Sequence, residues 1–190
     1  RCLTCKVLVE DLHCKGSHGI TVGSVWYDDV SNVTYRRVVM EDCANGPRIK
    51  GRSQGNATVS NIRFEDVLLL SGVGVGIAVD MTYETPGSTT NNTGVVAHTV
   101  VYQNVTGHAV QTAASITCLP KRPCYGFSTE HVQVIGAKHA AWECTHVEFG
   151  AVADTNPVPG NSCYHAQSGL VLPLVPVWKN RLISSLALSP

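Results

Sequence analysis

Val30-Ser31-Asn32-Val33 and Val59-Ser60-Asn61-Ile62 are nearly the same phrase. An apolar pattern runs on from each. Val33, Tyr35 and Val38 sit at offsets of zero, two and five, and Ile62, Phe64 and Val67 repeat them. Upstream, Val7, Val9 and Leu12 do the same; downstream, Val100, Tyr102 and Val105. Val132 and Val134 are expected to open a fifth copy, which separates the first members by 26, 29, 38 and 32 residues. A step of two is the strand period. Short strands recurring at a loose period, with no helical pattern, argue for a β-solenoid. No single coil can bury its own apolar face, so the coils stack, and variable spacing places the extra residues in loops. Periodicity alone leaves an ordinary β-sandwich of short strands as the alternative.

The composition suits this all-β reading. Gly, Val, Thr and Asn are plentiful and charged residues are few, a balance of strands and tight turns. A chain of 190 residues fits one domain. Residues 1–165 are expected to form it, with 166–190 a tail that shows neither the repeat nor its turn chemistry. The formal net charge is zero, so no global field draws nucleic acid or a membrane surface, and any preference for an anion must be local. Residues 169–190 are apolar but interrupted by Pro173, Pro176, Lys179 and Arg181, too short a run for the roughly 20 residues of a membrane span.

Eight cysteines point to an oxidising compartment. Four Asn-x-Thr sequons, at Asn32, Asn56, Asn91 and Asn104, agree with a secreted, extracellular protein. Cys118 and Cys124 flank Leu-Pro-Lys-Arg-Pro at a spacing that suits a small disulfide loop, and Cys144 and Cys163 are placed to staple the last coil. A loop of that size would be worth about 3 kcal/mol by closure entropy. Cys2-Leu3-Thr4-Cys5 has the spacing of a zinc half-site, but no second pair completes it, so no metal and no cofactor are expected. The partners of Cys2, Cys5, Cys14 and Cys43 stay open.

The chemistry is concentrated in Arg48-Ile49-Lys50 and in Gly16-Ser17-His18-Gly19 upstream of it. On a strand, Ile49 faces the core while Arg48 and Lys50 project side by side. Arg offers a planar fork to a carboxylate and Lys a mobile point charge, so the pair forms an anion grip. Glycines around His18 permit close backbone approach. Asp28-Asp29 falls in a turn-like stretch and reads as a solvated loop. Asp80, near Tyr83, lacks an evident partner carboxylate.

Gly16-Ser17-His18-Gly19-Ile20-Thr21-Val22-Gly23-Ser24, followed by Asn45-Gly46-Pro47-Arg48-Ile49-Lys50, closely resembles the paired signature of the polygalacturonases of glycoside hydrolase family 28. The resemblance spans roughly residues 5–165. It implies the C-terminal coils of a right-handed parallel β-helix, a single-stranded solenoid. It also implies inverting hydrolysis of α-1,4 bonds between galacturonic acids in pectin. By that resemblance His18 lies beside the catalytic carboxylates and helps set their ionisation. Arg48 and Lys50 bind the substrate carboxylate, and Tyr83 is the best match to the tyrosine that follows them. Cys118 with Cys124, and Cys144 with Cys163, match two family disulfides.

The chain departs from the pattern in places. The family's Asn-Thr-Asp and Asp-Asp motifs precede the histidine, so the acid and base are expected upstream of Arg1 and the chain by itself is expected to be inactive. The family partner of Cys14 lies upstream too, with Cys2 a possible substitute. Ser17 resembles exo-acting members. Pro47 removes a strand donor. Pectin or polygalacturonate is the expected ligand, with no nucleic acid, no membrane and a monomeric state. The alternatives are a non-catalytic β-helix that binds acidic cell-wall polysaccharide, and an adhesive solenoid.

Overall fold

The computed structural model describes residues 6–84 and 93–164. Their strands are β1 (Val7–Lys15), β2 (Thr21–Val25), β3 (Val30–Glu41), β4 (Arg48–Arg52), β5 (Thr58–Tyr83), β6 (Val96–Thr117), β7 (Cys124–Ile135), β8 (His139–Thr145) and β9 (Val147–Asn156). Every pairing between them is parallel. One path runs β1-β3-β5-β6-β7-β9, and a second joins β2, β4, β5, β6 and β8. β5 and β6 belong to both, because each bends from one face of the stack to the next. This is a parallel β-helix.

The apolar triads are in register. Val7, Val33, Ile62 and Val100 align, as do Val9, Tyr35, Phe64 and Tyr102, and Leu12, Val38, Val67 and Val105. Within the stack, the ring of Phe64 lies 5.5 Å from that of Tyr35 and 5.4 Å from that of Tyr102, nearly parallel to both. That offset stacking adds to the area buried.

The fifth copy is not where the apolar pattern places it. Val100 pairs with Phe127 and Val105 with Val132, so the copy is Phe127, Thr129 and Val132. Val134 pairs with Gly107 instead. Thr129 hides the register from an apolar scan: it is buried, and its hydroxyl is satisfied by that of Thr155 at 2.9 Å.

The odd step from two to five has a backbone cause. At offset four, Asp11, Arg37, Asp66, Asn104 and His131 all have φ between 52° and 57°. A left-handed residue at that point turns the chain and shifts the next inward position by one. Offset minus one forms a second such column: Asn32, Asn61 and Thr99, with φ of 53–58°. Asn and Asp tolerate this region because their short side chains bond locally. The Asn of the repeated phrase is therefore a corner. Corner side chains also bond from coil to coil: Arg37 Nε donates to Asp11 at 2.7 Å and Asn104 Nδ2 to Asp66 at 2.7 Å.

Both expected disulfides are present, Cys118–Cys124 and Cys144–Cys163. Pro47 costs no ladder bond, because it precedes β4 and contributes its carbonyl, which accepts from Ala78 N at 3.0 Å. Of the sequons, Asn32 and Asn104 occupy corners, Asn56 is exposed, and Asn91 lies outside the described residues, as do Cys2, Cys5 and the tail from 165 onward. No helix among the described residues is long and apolar enough to cross a membrane.

Candidate functional site

The site is built on β2, β4, β5, β6 and β8. Val22, Ile49, Val79, Ile116 and Cys144 form the inward row of this face. Ile49 is fully buried, as its place between two cations requires. The flanking rows are Thr21, Arg48, Ala78, Ser115 and Glu143 on one side, and Gly23, Lys50, Asp80, Thr117 and Thr145 on the other. Arg48 and Lys50 thus stand two residues apart on the outer face, but neither extends freely into water. Both are half-buried. Arg48 Nε is shielded from solvent and has no hydrogen-bond partner among the described residues. Lys50 Nζ lies 3.4 Å from the centroid of the Tyr83 ring. The structure therefore joins Tyr83 to the grip across some thirty residues of chain.

Two glycines allow this approach. A Cβ on Gly23 would stand 2.2 Å from the Lys50 carbonyl oxygen, and its φ is +135°. A Cβ on Gly19 would meet the carbonyls of Asn45 and Gly46 at 2.4 and 2.7 Å. Only glycine lets the His18 loop lie against the coil that carries Arg48.

That loop is tied down at every residue. Ala44 N donates to Ser17 O at 2.8 Å, Asn45 Nδ2 to His18 O at 3.0 Å, and Arg48 N to Ile20 O at 2.9 Å. Ser17 Oγ accepts from Gly19 N at 3.0 Å and lies 2.9 Å from Cys14 Sγ and 3.4 Å from Cys43 Sγ. The two thiols are 3.8 Å apart and unbridged. Burial pushes the Cys14 thiol up, against the pull of the Ser17 hydroxyl. The loop presents His18 exposed, with no hydrogen bond to its imidazole among the described residues. Its backbone sits against Asn45, three residues before Arg48.

Beside Arg48 is a concavity of about 280 Å³ lined by Asn45, Arg48, Asp80, Thr82, Ser115 and Thr117, with apolar residues at its floor. Asp80 does reach it, but Asp80 Oδ1 accepts from both the backbone N and the hydroxyl of Thr82, at 2.9 and 2.8 Å. Asp28 and Asp29 are exposed, and Asp29 caps Thr58 N at 2.8 Å. A larger concavity of about 440 Å³ lies on the outer face of β1, β3, β5 and β6. Its Arg36 and Arg63 are engaged by Glu10 and Glu65, so it offers an anion less than the smaller one does. Ser115 and Thr117 escaped the sequence reading. Asn45 opens the quoted motif, though no role was read for it, while Ser115 and Thr117 acquire their places only through the register of β5 with β6.

Two cations flanking a buried strand residue, a histidine loop one coil before them and a hydroxyl-lined groove thus come together on one face of the helix. Residues 3–156 match the family described as Glycosyl hydrolases family 28, and the chain belongs to that family. It is 31% identical over 144 residues to a probable endopolygalacturonase A of Aspergillus parasiticus, covering 73% of this chain and 39% of that protein. It is 33% identical over 144 residues to endopolygalacturonase I of Aspergillus aculeatus, covering 73% of this chain and 37% of that protein. The chain thus spans about two fifths of the length of the curated relatives it matches.

Proposed function

We propose that Arg48 and Lys50, steadied by Tyr83, bind the carboxylate of a galacturonic acid unit, and that the protein takes part in hydrolysing α-1,4-galacturonosidic bonds of polygalacturonate with inversion. The observation that carries this is the placement of the two cations on either side of buried Ile49, with Lys50 laid over Tyr83. The relatives named endopolygalacturonases support the substrate class. His18 would stand beside the reacting carboxylates and bias their protonation. The disulfides suit an extracellular site of action.

Inversion needs a general acid and a general base roughly 6.5–9.5 Å apart. Among the described residues lining the groove, Asp80 is the one carboxylate. The pair would therefore be supplied by residues outside those described here, and residues 1–190 alone would bind without turnover. The same observation favours a second reading, a β-helix that binds acidic glycan without cleaving it.

The test is two measurements. Galacturonate binding should fall at least about tenfold in Arg48→Ala and in Lys50→Ala, as loss of a charge-assisted contact predicts. No loss in either variant would overturn the grip. Reducing-end release from polygalacturonate should be absent for residues 1–190 and should appear, with inverted anomeric configuration, when the Asn-Thr-Asp and Asp-Asp coils are present. Their presence without turnover would leave the binding reading in place and remove the hydrolytic one.

A further inference from the structure

Cys14 stands at the end of β1, and Cys43 lies just past the end of β3 on the next coil. The chain turns at both places, through Gly16 and Asp42 with φ of 61° and 52°. Backbone bonds fix the two coils to each other on either side of the cysteines. Gly16 N donates to Glu41 O at 3.0 Å, and Ala44 N to Ser17 O at 2.8 Å. Between these bonds the two Sγ atoms lie 3.8 Å apart, and Cys43 Sγ is 3.4 Å from the carbonyl oxygen of Cys14 itself. Closing that gap to the ~2.0 Å of an S–S bond is within reach of side-chain rotation, since the backbone already holds the coils together.

The two thiols differ in the way that stepwise oxidation needs. Cys14 is half-buried, whereas Cys43 is 1% exposed. A dissolved oxidant therefore meets Cys14 first. Burial pushes the Cys43 thiol up, but the Ser17 hydroxyl and the backbone beside it outweigh burial and hold it below the ordinary thiol range. The buried sulfur is thus the readier of the two to attack once its neighbour is activated. The two disulfides formed elsewhere in the chain suit an oxidising compartment, where thiols in contact do not persist.

We propose that Cys14 and Cys43 are a redox pair that closes into a disulfide between the coil carrying His18 and the coil carrying Arg48, with a low-molecular-weight disulfide such as oxidised glutathione as the oxidant. The Cys14 thiolate attacks one sulfur of the oxidant. The oxidant's S–S bond breaks, one glutathione leaves as thiolate, and a mixed disulfide remains on Cys14. The Cys43 thiolate then attacks Cys14 Sγ, the bond between the coils forms, and the second glutathione leaves. Two protein thiols have lost two electrons and two protons, and the oxidant has become two thiols. The bond staples the start of the His18 loop to the turn that precedes Arg48.

The test treats the full chain with excess oxidised glutathione, blocks the remaining thiols and maps a tryptic digest without reduction. Cleavage after Lys6, Lys15, Arg37 and Arg48 puts Cys14 on fragment 7–15, Cys43 on 38–48 and both Cys2 and Cys5 on 2–6. Fragments 7–15 and 38–48 should appear linked. Cys43→Ser should lose the link and accumulate glutathione on Cys14, while Cys14→Ser should leave Cys43 unmodified. Fragment 7–15 linked to 2–6, glutathione retained on Cys14 of the unmodified chain, or two unreacted thiols would each overturn the pair. The map of the unmodified chain decides the matter if a variant fails to fold. Amide exchange over residues 16–23 should slow at least about tenfold in the linked chain. Equal exchange in the linked and unlinked chains would overturn the staple.

Discussion

The ammonium of Lys50 sits 3.4 Å from the ring centroid of Tyr83, and the ring is itself 39% exposed at the rim of the outer face. A cation so placed is attracted by the ring quadrupole and held in one position on a long, flexible stem. Tyr83 is a positioning residue in this account, acting through Lys50. Tyr83→Phe keeps the ring and should bind galacturonate within about twofold of the unmodified protein. Tyr83→Leu removes the ring and should weaken binding roughly 2- to 30-fold, the span of a cation–π contact of 0.5–2 kcal/mol. Equal effects of Phe and Leu in a binding titration would show that the hydroxyl acts instead.

Gly23 lies beneath Lys50 in the register, with its backbone in a region that side chains rarely adopt. Gly23→Ala would drive a methyl group against the Lys50 carbonyl. Stability should fall by at least ~1–3 kcal/mol, measured by urea unfolding. Galacturonate binding should be lost in the same variant, since the strand carrying the grip must move.

Tyr102 is fully buried, and its hydroxyl has no hydrogen-bond partner among the described residues. Burial alone pushes its ionisation far above the ordinary tyrosine range. Tyr102→Phe keeps the stack on Phe64 and removes an unpaired polar atom, so stability should rise by about 1 kcal/mol. A measured loss on thermal unfolding would reveal a partner for the hydroxyl.

The first coils carry a charge ladder whose pH response has a definite sign. Hydrogen bonds from Arg36 and Arg37 hold the Glu10 carboxyl below its usual 4.5, and Arg37 holds Asp11 below its usual 3.8. Lys15 does the same for Glu41. Their folded values are depressed, so the stabilisation is complete above the usual carboxylate values and is lost as pH falls through the lowered ones. Melting temperature should be flat in pH above about 5 and fall below about 4. Arg37→Gln, which removes a contact to both Glu10 and Asp11, should shrink the acid-side slope. The effect is small, because these groups are exposed and water screens them.

Much of the fold was legible in the chain. Apolar side chains at fixed offsets must all enter one interior, and the in-register triads from Val7 to Val105 follow from that demand. The same scan lost the fifth coil, because Thr129 occupies an inward position that a hydrophobic pattern excludes. Its hydroxyl is tolerated there only because Thr155 of the next coil supplies a partner, a long-range fact. The site shows the same division. Alternation around Ile49 sent Arg48 and Lys50 to the outer face, and the structure agrees. How far each is buried depended on the coils on either side.

The sequence by itself determined the inward rows and the direction of the two cations, since both follow from period-two alternation and the need to hide apolar surface, while the parallel pairing of successive coils decided for a solenoid over a sandwich. Tertiary structure alone decided which residues meet across coils. Stacking at ~4.8 Å brings into contact residues separated by some thirty positions, and the loops between coils vary in length. Lys50 on Tyr83, Arg52 between Trp26 and Tyr83, and Cys14 beside Cys43 are all products of that register. A local pattern carries no record of it.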